Sequence, residues 1–267
     1  MDIEKFREIV LDNYRRAGRK FPWRGAAPWG VMVSEYMLQQ TQTGRVISYW
    51  ENWMRLWPGP KALAKASMEE ALREWSGLGY NRRCYNLKNA AAIIANDYNG
   101  AVPQTPDSLR LLPGVGPYIA GAIACFAYNY PSVFIETNIR SAVIHCFFHG
   151  RNDVNDIEIF PILEAALDRN DPRTWYYALM DYGVSVKKST INPGRRSAHY
   201  TRQSPFPGSF RQARGKVIRA LASMGPGSAG DLAAVSGLDE EKLYGVLDRL
   251  VKESLVAEKG GKYQIRD

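Results

Sequence analysis

The stretch LLPGVGPYIAGAI, residues 111–123, restricts the fold of this chain more than any other. Two apolar segments with helical spacing meet at a turn in which Gly114 and Gly116 stand two apart and Pro117 opens the second segment. Proline at a first helical position is preorganised for the helix it starts, and glycine permits a tight turn and a close approach of main chain to a partner. The second helix then presents free amides and the positive end of its dipole, which suits an anion. On DNA that anion is a phosphate.

The rest of the first two hundred residues reads as short helices. A 3.6-residue period predicts them near 2–18, 30–41, 43–56, 68–75, 81–98, 106–112, 117–128, 137–149, 156–169 and 173–186. Ser67 with Glu70 forms a capping box, and Thr105 before Pro106 offers an N-cap with proline at N1. Strand signals are scarce, so the class expected here is all-α. In INPGRRSAHYTRQSPFPGSF, residues 191–210, proline, glycine, serine and arginine replace periodic hydrophobics and mark a linker. The division expected is a helical domain over 1–205 and a small domain over 206–267. The second domain shows helices near 210–223, 228–235 and 239–253, then LVAEKGGKYQI, where Gly260-Gly261 separates two short alternating runs as in a β-hairpin. Three helices and a hairpin predict a winged helix, a module that meets nucleic acid or protein.

Charge points to a partner. The chain carries a net charge of +8, and from Tyr182 to Gly230 it has no acid while Lys187, Lys188, Arg195, Arg196, Arg202, Arg211, Arg214, Lys216 and Arg219 accumulate. Such a one-signed stretch suits a phosphate-bearing partner, nucleic acid first. A hydrophobic content of 45% argues for packed cores, and the longest apolar runs are broken before membrane-spanning length. MDIEKFREIV lacks the order of a signal peptide, so a soluble, cytoplasmic protein is expected, one that a DNA partner would make nucleoid-associated. Cys84, Cys125 and Cys146 are widely spaced, and His145 and His149 stand at helical spacing without an accompanying acid. Neither a disulfide framework nor a metal site is indicated.

One acid is out of place. VMVSEYMLQQTQ, residues 31–42, sets Glu35 among Val31, Met32, Val33, Met37 and Leu38. An ionised group there pays a desolvation cost unless it is paired, or it stays protonated and available as an acid. A glutamate that reaches solvent from the helix is the plain alternative.

In chain order, PWR, VSEYMLQQTQ, WSGLGYNRR, LPGVGPY and FIETNIR resemble the helix-hairpin-helix DNA glycosylase superfamily, most closely adenine DNA glycosylases of the MutY type. The resemblance covers about residues 20–190 and implies a fold of two helical subdomains. It implies that Glu35 is the general acid that protonates the leaving purine, and that Glu136 is the second acid, which stabilises positive charge on the sugar as the glycosidic bond breaks. The family has aspartate at that second position, so the charge here sits on a side chain one methylene longer. Tyr118 occupies the position that is lysine in the backbone-cleaving endonuclease III branch; tyrosine cannot form an imine, so base removal without efficient strand cleavage is expected. Asn138 matches a family asparagine beside the catalytic acid, with capping of the helix that begins there as an equal reading.

Base removal requires extrusion of the nucleotide from the duplex. By resemblance Gln40 and Tyr80 are the wedge residues, Arg82 and Arg83 support them at the phosphates, Trp23 and Arg24 line the base pocket, and Gly114, Val115 and Gly116 hold a phosphate in the hairpin. Ordinary packing is the alternative for Tyr80 and Trp23. Family members usually carry four cysteines for an iron–sulfur cluster after an MDLG-like segment. Here MDYG is followed by VSVKKSTINPGRRSAHY, with Lys187 at the first ligand position, so no cluster, metal or cofactor is expected. Lys187 and Lys188 in that basic loop either reach DNA or pack on the domain. The β-rich C-terminal domain typical of adenine glycosylases is replaced by the short winged-helix candidate. The expected activity is therefore hydrolysis of an N-glycosidic bond in double-stranded DNA by a monomer, at adenine opposite 8-oxoguanine or guanine. A glycosylase for uracil, thymine or hypoxanthine, and a catalytically inactive DNA-binding protein, are the alternatives.

Overall fold

The computed structural model describes residues 1–202 and 205–266, and helices dominate it. In chain order they are α1 (Ile3–Ala17), α2 (Pro28–Leu38), α3 (Thr43–Leu56), α4 (Pro60–Lys65), α5 (Met68–Trp75), α6 (Arg82–Asp97), α7 (Pro106–Leu109), α8 (Pro117–Tyr128), α9 (Thr137–Phe147), α10 (Asp156–Ala166), α11 (Pro172–Ser189), α12 (Phe210–Met224), α13 (Ala229–Ser236) and α14 (Glu240–Lys252). Three short strands accompany them: β1 (Gly227–Ser228), β2 (Val256–Lys259) and β3 (Lys262–Ile265). The caps read from sequence are present. Ser67 and Glu70 close a reciprocal box on α5, and the Thr105 hydroxyl accepts from the Ser108 amide at the start of α7.

The chain forms two compact units. The first comprises Met1–Val31, Gln104–Leu111 and Val115–Arg202; the second comprises Met32–Pro103, Leu112–Gly114 and Gln203–Asp267. In the first, α1, α8, α9, α10 and α11 enclose an aromatic core. Phe6 meets Phe147 and Trp175 edge-on at 5.1 and 5.9 Å, Phe126 stacks on Tyr177 at 4.5 Å, and Phe134 stacks on Tyr176 at 3.9 Å. Each such ring removes about 150–250 Å² from water, which makes these side chains the main source of cohesion.

In the second unit Trp53 of α3 packs edge-on against Trp57 at 4.5 Å and against Trp75 of α5 at 5.3 Å, while α4 packs on α6. The C-terminal segment belongs to this unit. Its α12 lies on α5, where the Arg73 guanidinium donates to the Ala222 carbonyl at 3.1 Å, and the Tyr85 hydroxyl donates to the Leu255 carbonyl. The antiparallel sheet has the order β1-β3-β2, with Val256 opposite Ile265. Its hairpin turns at Gly260 and Gly261, both at positive φ (57° and 74°), the conformation that a tight two-residue turn requires.

Some boundaries differ from the sequence expectation for physical reasons. The helix expected over 30–41 ends at Leu38, because Gln40 takes the left-handed conformation with φ 55°. Neither α4, of six residues, nor β1, of two, is long enough to express a period. The expected linker 191–210 falls partly outside the described residues, at Gln203 and Ser204. Upstream of them it contains a 3-10 turn, Pro193–Arg196, and Val154 forms an isolated parallel bridge with Ser197.

Candidate active site

Glu35 is only 6% exposed, between Ser34 and Tyr36, which are also buried. The solvent-reaching alternative is thereby removed. The next residue, Tyr36, is fully buried, and its hydroxyl donates to the Pro113 carbonyl, which ties α2 to the glycine turn. Burial pushes the Tyr36 phenol well above its ordinary range.

Glu136 is the N-cap of α9. Its Oε1 accepts from the amides of Asn138 and Ile139 at 2.8 and 2.9 Å, and its Oε2 accepts from the Thr137 hydroxyl and Asn138 Nδ2 at 3.0 and 3.1 Å. Helix caps are usually shorter side chains, and the extra methylene lets this one fold back over its own amides. All four acceptor sites of the carboxylate are then in use, which suits a fixed negative charge at a helix N-terminus. The capping role considered for Asn138 therefore belongs to Glu136. Asn138 instead links Glu136 to Lys187, whose Nζ donates to Asn138 Oδ1 at 2.9 Å. Of the two roles open to Lys187, reaching DNA or packing on the domain, the geometry favours the second: it is half-buried within its own unit. Burial lowers its pKa, opposed by the Glu136 charge and reinforced by Arg140. The approach of α11 to α9 depends on Gly183, where a Cβ would lie 2.1 Å from the Asn138 carbonyl oxygen. Tyr118 on α8 is half-buried, its ring edge-on to Phe134 at 5.9 Å.

Gln40 and Tyr80 share an unusual feature. Both are non-glycine residues in the left-handed region, with φ 55° and 48°, a conformation that costs about 1–3 kcal/mol and gathers at functional loops. A single buried guanidinium holds both loops. Arg83 Nη1 donates to the carbonyls of Tyr36, Met37 and Gln39 at 3.0, 2.8 and 2.6 Å, and its Nη2 donates to the Thr41 hydroxyl and the Leu78 and Gly79 carbonyls at 3.1, 3.3 and 3.1 Å. Arg83, expected at phosphates, is therefore an internal clamp; it is 6% exposed. Burial lowers its pKa to about 10, which leaves it protonated at neutral pH. Arg82 is exposed and donates to the Glu253 carbonyl at 2.7 Å. The Tyr80 ring also meets Arg211 of α12, whose guanidinium carbon lies 5.1 Å from the ring centroid and whose Nη1 donates to the hydroxyl. The sequence places Arg211 in the acid-free basic stretch without singling it out.

Two further expectations change. Trp23, expected in a base pocket, is 5% exposed and stacked on Phe21 at 5.1 Å. Arg24 is taken by Asp181, with Nη1 to Oδ2 at 2.9 Å and Nη2 to Oδ1 at 2.8 Å. Asp181 also accepts from the Arg19 amide at 2.8 Å and from Arg19 Nε at 2.7 Å. Burial alone would raise its pKa, but these donors and the two guanidinium charges hold it below the usual carboxylate range. Asp181, an acid within the apolar helical run WYYALMDYGV, carries the same signal that drew attention to Glu35.

In the glycine turn, Gly114 has φ 77°, and a Cβ there would lie 2.4 Å from Asn86 Nδ2. Val115 is buried. Gly116 is the N-cap of α8, without a side-chain cap, and a Cβ on it would meet nothing within 4 Å. Packing explains the first glycine; at the second a side chain would meet open space. Lys188 is exposed on the last turn of α11. Among the described residues no cluster of His, Cys, Asp or Glu is arranged to hold a metal ion.

Residues 33–165, which contain Glu35, Tyr80, the glycine turn and Glu136, match the family HhH-GPD superfamily base excision DNA repair protein. The chain is 34% identical over 276 residues to an adenine DNA glycosylase of Mycobacterium tuberculosis, covering 92% of this chain and 88% of that one. It is 36% identical over 269 residues to an adenine DNA glycosylase of Mycolicibacterium smegmatis, covering 92% and 91%. Among solved structures, a thermostable thymine-DNA glycosylase is similar with a TM-score of 0.59 and 25% identity, over 67% of this chain and 87% of that one. The helical architecture, the glycine turn between α7 and α8 and the extent of these similarities place the chain in the HhH-GPD superfamily of base excision DNA repair proteins.

Proposed function

We propose that this protein is an adenine DNA glycosylase that hydrolyses the N-glycosidic bond of adenine opposite 8-oxoguanine or guanine in double-stranded DNA. The observation that carries this reading is the burial of Glu35 in an apolar turn of α2, inside the matched segment. A carboxyl in such surroundings suits proton donation to a ring nitrogen of the leaving purine. As the bond to the sugar breaks, positive charge grows on the ring, and the capped carboxylate of Glu136 stabilises it. Water adds at the sugar carbon, and its proton passes to solvent. Asn138 and Lys187 hold Glu136 in place. Tyr118 supplies no amine, so the product is an abasic site in an uncut strand.

Gln40 and Tyr80 fill the gap left by the extruded nucleotide, held by Arg83 rather than supported by it at the phosphates. The turn at Gly114, Val115 and Gly116 receives a backbone phosphate at the α8 amides, and the exposed Lys188 on the last turn of α11 adds positive charge to the DNA-binding surface. The enzyme works as a cytoplasmic monomer without a cofactor. The segment 206–267, with its three helices and three-stranded sheet, is a winged-helix domain that augments the DNA-binding surface.

Single-turnover base release on a duplex panel tests the reading: adenine opposite 8-oxoguanine or guanine, uracil or thymine opposite guanine, and hypoxanthine opposite thymine, each with and without alkali. Selective loss of adenine, visible as strand scission only after alkali, is the expected result. A Glu35→Gln variant should bind the same duplex and release base slower by about 10²–10⁴-fold. Release of a different base would move the protein to another substrate branch, and tight binding with no release would leave an inactive DNA-binding protein.

A further inference from the structure

A cavity of about 510 Å³ opens beside the Gln40 and Tyr80 loops, and the face of α12 forms part of its lining. Arg45, Arg211, Lys216 and Arg219 all line it, and no aspartate or glutamate does among the described residues. Within the same described residues Arg45, Lys216 and Arg219 form no ion pair, whereas Arg214, a neighbour on α12, is paired with Glu253 at 2.7 Å. The uncompensated charge therefore faces the cavity. Its position is fixed: Arg219 Nε donates to the Ser76 hydroxyl at 2.9 Å, and Arg211 is seated on the Tyr80 ring.

The rest of the lining has the chemistry of a base. Tyr80 and Phe206 contribute aromatic rings on which the planar Arg211 guanidinium is seated, its carbon 5.1 and 5.4 Å from the two centroids. Gln40 and Gln212 carry amides; the Gln212 Oε1 accepts from the Gly208 amide at 2.7 Å, which leaves its Nε2 to donate to an incoming base edge. The volume exceeds what an inorganic anion requires and accommodates a nucleotide. A concave, positively charged wall with aromatic rings and amide groups is the pattern that holds phosphate by charge and a base by stacking and edge hydrogen bonds.

We propose that this cavity is a nucleotide site for DNA: a phosphodiester-linked nucleotide next to the one displaced by Gln40 and Tyr80 places its phosphate against Arg45, Lys216 and Arg219 and its base toward Tyr80 and Gln212. This rests on the reading of the chain as a DNA glycosylase, which makes duplex DNA the ligand. The C-terminal segment then contributes directly to DNA binding, through a face of α12.

The test uses the full chain with Arg45→Gln and Lys216→Gln, singly and together, beside Lys65→Gln, a cation outside the cavity lining. Duplex affinity is measured by fluorescence anisotropy from 50 to 300 mM salt. The double variant should bind about tenfold more weakly near 150 mM salt and reduce the slope of log K against log salt by about 2, roughly one for each phosphate no longer neutralised. Lys65→Gln should match the parent. A photocrosslinking residue at Gln212 should attach to a nucleotide flanking the mismatch. Parental affinity and slope in the double variant, or no crosslink at Gln212 in a duplex-binding protein, would overturn the site. Binding of free adenosine triphosphate that is lost in the double variant, with duplex affinity unchanged, would also overturn it as a DNA site. Base release is scored separately: release with parental salt dependence in the double variant defeats the site alone, and loss of affinity in the double variant with no release in the parent defeats the glycosylase reading alone.

Discussion

The main chain of α11 at Gly183 passes so near α9 that a Cβ there would lie 2.1 Å from the Asn138 carbonyl oxygen. The obstacle is backbone at the first turn of the helix that Glu136 caps, so it cannot swing aside as a side-chain tip would. Gly183→Ala should destabilise the fold by about 3 kcal/mol, the upper part of the overpacking range, and slow base release by disturbing Glu136. Denaturant unfolding and single-turnover assays check both effects. Gly44→Ala, on α3 where a Cβ meets nothing within 4 Å, should leave stability unchanged or raise it by up to about 1 kcal/mol.

The buried Arg83 clamp separates charge from geometry. Arg83→Met leaves several buried carbonyls without a donor and should cost about 3 kcal/mol or more. Arg83→Lys keeps the charge but cannot span carbonyls on both loops, because an ammonium lacks the planar fork, so a smaller loss of about 1–2 kcal/mol is expected. Thermal or urea unfolding reads both. If the loops were held by other contacts, both variants would melt with the parent.

Asp181 contributes to stability toward acid. Its pKa is lower in the folded chain than in the unfolded one, so between those values the unfolded chain binds more protons and stability rises with pH. The contribution is fully present above the ordinary carboxylate value near 4 and is lost as pH falls through the lower folded value. Asp181→Asn should lower stability at pH 7 by about 3–5 kcal/mol, since it leaves Arg19 and Arg24 facing a neutral group in a buried site. The difference between variant and parent should shrink below pH 4, which urea midpoints at pH 3, 5 and 7 would show.

Glu136 should separate stability from rate. Glu136→Gln retains an oxygen for the α9 amides and should cost under about 1 kcal/mol, while Glu136→Ala removes the cap and should cost about 1–2 kcal/mol. Both lose the negative charge, and both should slow base release by about 10²–10³-fold. Equal rates in parent and Glu136→Gln would reduce this carboxylate to a cap.

Local signals determined much of this protein. Helical periodicity, the Ser67–Glu70 box, the Thr105 cap, the Gly260-Gly261 turn and the break at Gly114 and Gly116 are short-range features, decided within a few residues by backbone sterics and hydrogen bonding. Glu35 was legible for the same reason, as one acid in an apolar turn whose burial follows from its own helix face. Residue identity could not say what each charge would meet. Arg83 reads as a cation for phosphates and Arg24 as part of a base pocket, yet one spends its donors on carbonyls of two loops and the other on Asp181, more than 150 positions away in the chain. Lys187 meets Asn138, and Arg211 meets Tyr80, only through the packing of elements far apart in the chain. Whether a charge faces solvent or is drawn inward depends on which distant acceptors are brought within about 3 Å, and that pairing is a property of the tertiary fold.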